Sequence, residues 1–438
     1  QRRHLRRGEE VRRRLGEPLR GQVVAQRVVL DRDANAMRFV ALGARAVDVR
    51  HGQRGEAERA LAEPPFDVCS GAALLAALLM IVVSLRVNRW RHHAPRLAPF
   101  SENEGAGLPV VIVLPVRNEA RNVADCLATL LDQAETAKVE RIFVIDDGST
   151  DDTGGIVDRI AARNPVVTKI EAGWRGKQHA VSRGVDAALA SNPSAWILMT
   201  DADTRHRPDL LARALATCEA RGLDSLSISG SQRARGLGEN LVTPAMYFFL
   251  DALLGDWRPA ADGQVALANG QFILIHPRAL TAVGGMESIK NAPLDDVALA
   301  ERLHAAGVRH GFFRAQGLLA VRMYRGFRES FSGWRRILGT FLGKNTALVA
   351  RSLVLLLFPL AALGLAGVRG DLVAAVSLWL VGVLGSIVAR RGSGNTWGYG
   401  LLFPLDLALV AICLFLGWND HRRGEFASWR GRRMILDE

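Results

Sequence analysis

The run from Ala195 to Thr200 is apolar and stops at two carboxylates one residue apart, Asp201 and Asp203. A short run of this kind, with proline on both sides, is typical of a buried parallel strand rather than a helix. Ligand sites in open α/β sheets lie at the carboxyl ends of such strands. Two carboxylates there can bind a hard divalent cation, and a cation with few protein ligands suits a substrate diphosphate. The pattern predicts a metal-bound nucleotide; the alternative is a solvated acidic loop.

Two further apolar runs end in the same way. Residues 110–114 lead into Pro115-Val116-Arg117-Asn118-Glu119, and residues 141–145 lead into Asp146-Asp147-Gly148-Ser149-Thr150-Asp151. Apolar runs alternate with helical stretches across residues 110–345, which indicates βαβ units. The sequence therefore predicts an α/β domain in which three strand ends converge on one site.

Residues 67–87 form the first candidate membrane helix, because they are almost wholly apolar from Val68 to Leu85. A signal peptide is disfavoured, since no small-residue cleavage site follows and the basic residues lie on the wrong side. The arginines that follow predict that the next domain faces the cytoplasm. Residues 88–109, rich in proline and glycine near their end, are predicted to be a linker.

After the α/β domain the composition changes again, and residues 346–418 contain three apolar runs of spanning length. They predict two or three membrane helices, and hence a multi-pass protein of the cell membrane, with residues 419–438 as a basic tail. One span separates Arg390-Arg391 from that tail, so the positive-inside rule cannot satisfy both. A re-entrant hairpin in the run containing Pro359 would place the tail in the cytoplasm.

Residues 1–66 are rich in arginine and show no sustained helical or strand period. They are predicted to be a disordered tail or an artefactual extension. Over half of the formal net charge of +12 lies in residues 1–60, which contain fifteen arginines and eight acidic residues. No interleaved aromatic side chains support base stacking there, so we expect no nucleic-acid partner. The four cysteines are far apart and predict neither a metal site nor a disulfide framework.

Five motifs in order resemble those of membrane-associated family 2 glycosyltransferases with the GT-A fold. They are Pro115-x-x-Asn118-Glu119, Asp146-Asp147-Gly148-Ser149-Thr150-Asp151, Gly176-Lys177, Asp201-Ala202-Asp203 and Leu294-Asp295-Asp296-Val297. Within that family, three further stretches resemble enzymes that glycosylate lipids, including hopanoid-associated and carotenoid glycosyltransferases. They are Asn269-Gly270-Gln271-Phe272-Ile273-Leu274, Val283-Gly284-Gly285 and Val321-Arg322-Met323-Tyr324-Arg325.

The resemblance implies a nucleotide-diphosphate sugar donor, a lipid acceptor, Mg²⁺ or Mn²⁺, and inversion at the anomeric carbon. It assigns Asp203, with Asp201 as a second candidate, to the metal, and Asp296, with Asp295 as the alternate, to the catalytic base. The remaining matched residues would bind the nucleotide sugar: Pro115, Asn118, Glu119, Asp146, Asp147, Lys177 and Asp201.

These residue types suit the chemistry. A metal at Asp203 would stabilise charge on the departing phosphate, and a carboxylate opposite could take the proton of the attacking hydroxyl. The structural alternative for Asp296 is an acid that stabilises the first turn of a helix.

Three other functions share parts of this pattern. A processive polysaccharide synthase has the same motifs, but here Phe331-Ser332-Gly333-Trp334-Arg335-Arg336 stands where such enzymes have Gln-x-x-Arg-Trp. A nucleotidyltransferase usually needs a glycine-rich loop after its first strand, which Pro115-Val116-Arg117-Asn118-Glu119 does not provide. A non-catalytic membrane scaffold would be expected to lack one of the acids, and none is missing.

Overall fold

The computed structural model describes residues 25–31, 36–42, 68–100, 107–172, 176–254, 266–290, 292, 294–315 and 317–424. The chain divides into two units, residues 1–67 and 68–438. The first unit contains strands β1 (Ala25–Asp31) and β2 (Ala36–Leu42), which pair antiparallel. Two strands therefore pair in a stretch whose sequence shows no strand period. Residues 101–106 of the predicted linker and residues 425–438 of the predicted tail lie outside the described residues.

The second unit carries the other strands. They are β3 (Pro109–Val116), β4 (Lys138–Asp146), β5 (Val167–Glu171), β6 (Trp196–Thr200), β7 (Thr204–His206), β8 (Ser225–Ser229), β9 (Ser231–Gln232), β10 (Phe272–Ile275), β11 (His310–Arg314) and β12 (Leu319–Val321).

The α-helices of this unit, within the described residues, run in the following order. They are α1 (Val68–His93), α2 (Val123–Leu131), α3 (Thr153–Ala161), α4 (Lys177–Ser191), α5 (Leu210–Arg221), α6 (Gly236–Leu254), α7 (Pro277–Ala282), α8 (Asp295–Ala305), α9 (Gly326–Leu342), α10 (Thr346–Val368), α11 (Leu372–Gly392) and α12 (Leu405–Arg422).

A seven-stranded sheet in the order β11-β8-β10-β6-β3-β4-β5 forms the centre of the α/β domain. β10 is antiparallel to both of its neighbours, and the other pairs are parallel. Residues 110–114 of β3 are fully buried because helices cover both faces of the sheet. Ile112 and Leu114 pack with α2 and α5, while Val111 and Val113 pack with α4 and α8. The mixed α/β fold predicted from the alternating runs is confirmed.

Helix α4 approaches β3 closely at Gly184. A Cβ atom there would lie 2.3 Å from Cγ1 of Val113 and 3.0 Å from Cγ1 of Ile145, closer than side chains normally pack. The glycine therefore allows α4, whose first residue is Lys177, to lie against the middle of the sheet.

Three helices are long and apolar enough to cross a membrane, among the residues that the structure describes. They are Cys69–His93, Thr346–Val368 and Leu372–Gly392. Leu74, Val368 and Leu372 are at least 59% exposed, as expected for side chains that face lipid. The run before the α/β domain and the first two runs after it are therefore present as continuous helices. The third run, residues 401–418, is divided between a 3₁₀ helix (Trp397–Leu402) and α12 and is not among these three.

The C-terminal segment folds back towards the α/β domain. α10 runs unbroken through Pro359, so the re-entrant stretch is not the one suggested from the sequence. Instead, Trp379 Nε1 in α11 donates a hydrogen bond to Phe403 O at 3.0 Å. α12 then returns, and Arg335 Nε of α9 donates to Asp420 Oδ2 at 2.6 Å. The end of α11 and the end of α12 thus lie at the same end of the bundle, which removes the conflict over the two basic stretches.

Candidate active site

The carboxyl ends of β3, β4 and β6 lie side by side at one edge of the sheet. β3 pairs in parallel with β4 on one side and with β6 on the other. The predicted convergence of these three strand ends is therefore confirmed. A short second sheet, β7-β12-β9, begins directly after Asp203 and covers this edge.

Four predicted residues, Pro115, Lys177, Asp201 and Asp296, line one small pocket at this edge. Lys177, the first residue of α4, places its Nζ 2.8 Å from Oδ1 of Asp201 at the end of β6. Asp295 also lines the pocket. The pocket thus contains one cation and three carboxylates. These four groups come from three parts of the chain: the start of α4, the end of β6 and the start of α8.

Asp296 lies in the first turn of α8 and is held from two directions. Gly270 N–H donates to Oδ2 at 2.9 Å, and Val297 N–H donates to Oδ1 at 2.9 Å. Burial and then the neighbouring Asp295 raise the pKa of Asp296 from 3.8 to about 6, against the opposing effects of both hydrogen bonds and of Lys177. A carboxylate with this pKa is mostly ionised at neutral pH and is a stronger base than an ordinary aspartate.

Lys177 stays charged in this pocket. Burial by itself would lower its pKa, but Asp201, Asp295 and Asp296 together raise it above its ordinary value. The charge of Lys177 therefore lies between the carboxylates of β6 and those of α8. Anions that enter the pocket meet this ammonium group.

Gly270 donates its backbone N–H to Asp296 and lies next to Lys177. A Cβ atom at this position would lie 3.4 Å from Lys177 Nζ and 3.6 Å from Asp296 Oδ2. A side chain would therefore occupy space between the two charges. In the sequence, Gly270 belongs to a stretch that resembles lipid glycosyltransferases, and a glycine there is expected where a turn or a close ligand approach leaves no room for a side chain.

Asp203 lies on the other side of Asp201, at the start of the second sheet. Its carbonyl oxygen accepts a hydrogen bond from Arg322 N at 3.1 Å. Burial, with a smaller contribution from Asp203, raises the pKa of Tyr324 to about 12 and raises that of Tyr247 further. Tyr247 comes from α6, and its hydroxyl donates to Sδ of Met323, the residue between Arg322 and Tyr324, at 3.3 Å. No sequence pattern predicted that Tyr247 would lie here.

A second, polar cavity of about 280 Å³ lies next to the end of β3. Asn118 and Glu119 line it, facing Arg322 and Arg325. Glu119 N–H donates to Thr153 Oγ1 at 2.8 Å, and Asn118 Oδ1 accepts from Thr150 N at 2.7 Å. These contacts fix the loops after β3 and β4 to each other, and Asn118 adopts a left-handed φ of 51° in the process.

Asp146 and Asp147 do not line either of these two pockets. Asp147 is 1% exposed, and both of its carboxylate oxygens accept from Gly176 N at 3.1 Å. Asp146 Oδ1 accepts from Ser149 N at 2.8 Å. In this conformation the two acids hold the loops that carry Lys177 and Asn118, and their contact with a nucleotide stays a prediction.

The donor set at this edge fits a divalent cation that shares its ligands with a substrate. Within the described part of the chain, no three His, Cys, Asp or Glu side chains gather into a metal-binding group. Asp201 and Asp203 offer two carboxylates, which is the usual protein contribution to a Mg²⁺ site completed by water and substrate phosphates. A structural metal bound by protein ligands alone is not what these residues can form.

Comparisons with known proteins agree with this geometry. Residues 111–250 match the family described as "Glycosyl transferase family 2". The chain is 25% identical over 347 residues to "4,4'-diaponeurosporenoate glycosyltransferase" of Staphylococcus aureus strain USA300, covering 75% of this chain and 89% of that protein. The protein of the same name from strain MRSA252 is 26% identical over 333 residues, covering 73% and 78%.

Among solved structures, the fold is similar to "Mannosyltransferase PcManGT from Pyrobaculum calidifontis in complex with GDP-Man and Mn2+". The TM-score is 0.50 at 20% sequence identity, and the similarity covers 80% of this chain and 99% of that one. The likeness shows the GT-A fold.

Proposed function

We propose that this chain transfers one sugar from a nucleotide-diphosphate sugar to a membrane lipid, with inversion at the anomeric carbon. The premise is that residues 111–250 form a glycosyl transferase family 2 domain. The observation that carries the proposal is Asp296, a half-buried carboxylate with a raised pKa, facing the Lys177–Asp201 pair within one pocket. The Asp296 carboxylate, as the base, and the Lys177 ammonium group, on the donor side, would therefore act within the same small pocket.

In the proposed reaction, Asp296 takes the proton of the acceptor hydroxyl. The hydroxyl oxygen forms a bond to the anomeric carbon as the bond from that carbon to the diphosphate oxygen breaks, and the nucleoside diphosphate leaves. Attack from the side opposite the leaving group inverts the anomeric centre. The Gly270 N–H keeps Oδ2 of Asp296 oriented towards the pocket, so the acid does not have to reorient before each transfer.

The donor side of the site must stabilise negative charge, because negative charge builds up on the diphosphate as it leaves. Lys177 is a half-buried cation beside Asp201 and would contact a donor phosphate when Asp201 releases it. Mg²⁺ or Mn²⁺ held by Asp203, with Asp201 beside it, would supply Lewis-acid stabilisation of the same charge. Asp201 would also contact the ribose of the donor.

The nucleotide is proposed to extend from this edge along the ends of β3 and β4. Pro115, Asn118 and Glu119 lie on that path, and Asp146 and Asp147 support the two loops that border it. Three arginines and three acids line the same polar cavity, so it offers a donor both cationic and carboxylate partners: Arg121, Arg322, Arg325, Glu119, Asp151 and Glu329.

The acceptor is proposed to be a lipid, and the α/β domain is proposed to face the cytoplasm. Three apolar helices of spanning length flank the domain, so its active site stays close to the bilayer surface. The related S. aureus proteins are named as glycosyltransferases of diaponeurosporenoate, and a long-chain or polyene acceptor is consistent with that relationship.

The test is a transfer assay on the full chain purified in detergent. Nucleotide-diphosphate sugars of several bases and hexoses would be offered with a total membrane lipid extract, and products would be read by mass spectrometry. We expect one donor to yield a lipid heavier by one sugar residue, and the Asp296→Asn variant to bind that donor but to form product roughly 10²-fold more slowly or slower still. A ladder of products bearing several sugars would instead indicate a processive synthase. No sugar-bearing product with any donor would contradict the proposal.

A further inference from the structure

A cavity of about 530 Å³ lies between the helices that could span a membrane. Its walls come from α1, α6, α10 and α11, and from residues 403–410 at the start of α12. Pockets for small ligands have volumes of roughly 300–1,000 Å³. The space is therefore large enough for a ligand and lies at the depth of a bilayer rather than in the α/β domain.

Most of the wall is apolar, but one end carries charge. Phe248 and Phe249 of α6 face Leu355 and Leu356 of α10 across the cavity. Polar and charged side chains also line it, among them Arg86, Arg351, Ser352, Ser386, Arg390 and Asp406.

The three arginines lie at the end of the bundle nearest the α/β domain. Arg86 is seven residues before the end of α1, which leads into that domain. Arg351 is five residues after the start of α10, which leaves it, and Arg390 is two residues before the end of α11. The cavity therefore has a long apolar part and a polar end that faces the domain.

Arg390 forms part of this polar end and is held by three groups. Its side chain is fully buried. Nη1 of Arg390 donates to Ser386 Oγ at 3.0 Å and lies 3.5 Å from Asp406 Oδ2. Nη2 donates to Asn240 O at 3.0 Å. A charged group at membrane depth is costly and commonly marks a functional site.

Only a few contacts separate this polar end from Asp203. Asn240, the partner of Arg390, follows Glu239 in α6. Glu239 Oε1 lies 2.7 Å from Nη2 of Arg322, and Arg322 N donates to Asp203 O at 3.1 Å. One continuous series of contacts through α6 and Arg322 therefore joins the polar end of the cavity to the proposed metal ligand.

We infer that the cavity binds the apolar chain of the acceptor lipid, with the oxygen-bearing head of that lipid at the arginine-lined end; this inference rests on the proposed function. The apolar wall matches a long hydrocarbon chain. Three arginines against one aspartate favour an oxygen-rich or acidic head and disfavour a cationic one. The acceptor class is thus a long-chain lipid with a hydroxyl head rather than a water-soluble sugar or a lipid amine.

Photocrosslinking on the full chain tests the assignment without requiring turnover. The probes are hexadecanol and hexadecylamine, each with a diazirine in mid-chain, and labelled peptides are mapped by mass spectrometry. Ala252→Phe and Val381→Phe fill the cavity from two different helices. Leu384→Phe is the matched control, because Leu384 lies on the same helix as Val381 but is 61% exposed and does not line the cavity.

We expect the hexadecanol probe to label α6 at Phe248 and Phe249, and the amine to label it less. Each filling variant should reduce that labelling about tenfold, as loss of roughly 1.4 kcal/mol of binding would, while Leu384→Phe labels as the wild type does. In the transfer assay the filling variants should raise the KM for hexadecanol but leave butanol transfer and donor affinity unchanged.

Unchanged labelling and KM in both filling variants would overturn the inference, as would equal labelling by the amine. A chain that crosslinks hexadecanol in the cavity but uses no nucleotide sugar would instead contradict the proposed function and leave the lipid site in place. The two failures are therefore distinguishable.

Discussion

The protonation of Asp296 should set the lower pH limit of sugar transfer. With a pKa of about 6, Asp296 is about nine-tenths ionised at pH 7 and about one-tenth ionised at pH 5. An ordinary aspartate with a pKa of 3.8 would stay mostly ionised over the whole of that range. Because only the ionised form can accept the hydroxyl proton, kcat/KM for the acceptor should fall about tenfold between pH 7 and pH 5.

Two neighbouring carboxylates allow a matched comparison. Asp295→Asn removes a negative charge that raises the pKa of Asp296, so the midpoint of the profile should move to lower pH while activity at pH 7 is retained. Asp296→Asn keeps the size of the side chain and removes the base, so transfer should fall by roughly 10²-fold or more without loss of donor affinity.

The assay is an initial-rate pH series at saturating donor with a long-chain alcohol, whose hydroxyl does not titrate in this range. Donor affinity is measured at each pH by titration, which separates loss of the base from loss of donor binding. A profile that stays flat from pH 7 to pH 5 would refute the assignment of Asp296 as the base. A profile that loses its midpoint in Asp295→Asn rather than in Asp296→Asn would transfer the role to Asp295.

Three further predictions concern the metal, the membrane and the helix bundle. EDTA should abolish donor turnover and Mn²⁺ or Mg²⁺ should restore it, whereas Asp203→Asn should weaken metal-dependent donor binding; full activity in chelator would remove the metal from the site. Protease added to sealed right-side-out vesicles should leave residues 110–345 intact and should digest them once detergent opens the vesicles; digestion before that would contradict the cytoplasmic orientation. Asp406→Leu should destabilise the protein by roughly 3–5 kcal/mol in a reversible unfolding measurement, because it leaves Arg390 buried without its carboxylate. Combining it with Arg390→Met should recover most of that loss, and a double variant as unstable as the single one would show that the ion pair is not the cause.

The sequence predicted the parts of this protein that depend on local pattern. Strands β3, β4 and β6 are short apolar runs, and each ends in acids that identify the active edge. Their convergence followed from the geometry of parallel sheets. The apolar helices were equally visible, since length and composition alone define a candidate span.

The remainder depended on contacts between distant residues. Tyr247 reaches the site because α6 leaves the sheet and packs against α9, where its ring contacts Trp334 with centroids 4.9 Å apart. Asp147 belongs to a motif that resembles nucleotide-binding motifs of the family. Its carboxylate oxygens nevertheless accept a hydrogen bond from Gly176 N, 29 positions further along the chain. The fold-back of residues 393–404 depends on Phe403, which packs at Gly382 in the middle of α11. None of these contacts has a periodicity that a sequence could reveal.

The fold-back also determines when, during biosynthesis, the intramembrane cavity can exist. Its wall between Phe403 and Val410 is translated after every other wall and after the whole catalytic sheet. A nascent chain that has emerged only as far as α11 has its catalytic residues in place but leaves the cavity open to the bilayer on one side. Closure of the cavity is therefore a late event in the maturation of this protein. A chain that ends after α11 would keep the folded catalytic domain but would lack one wall of the cavity proposed to bind lipid.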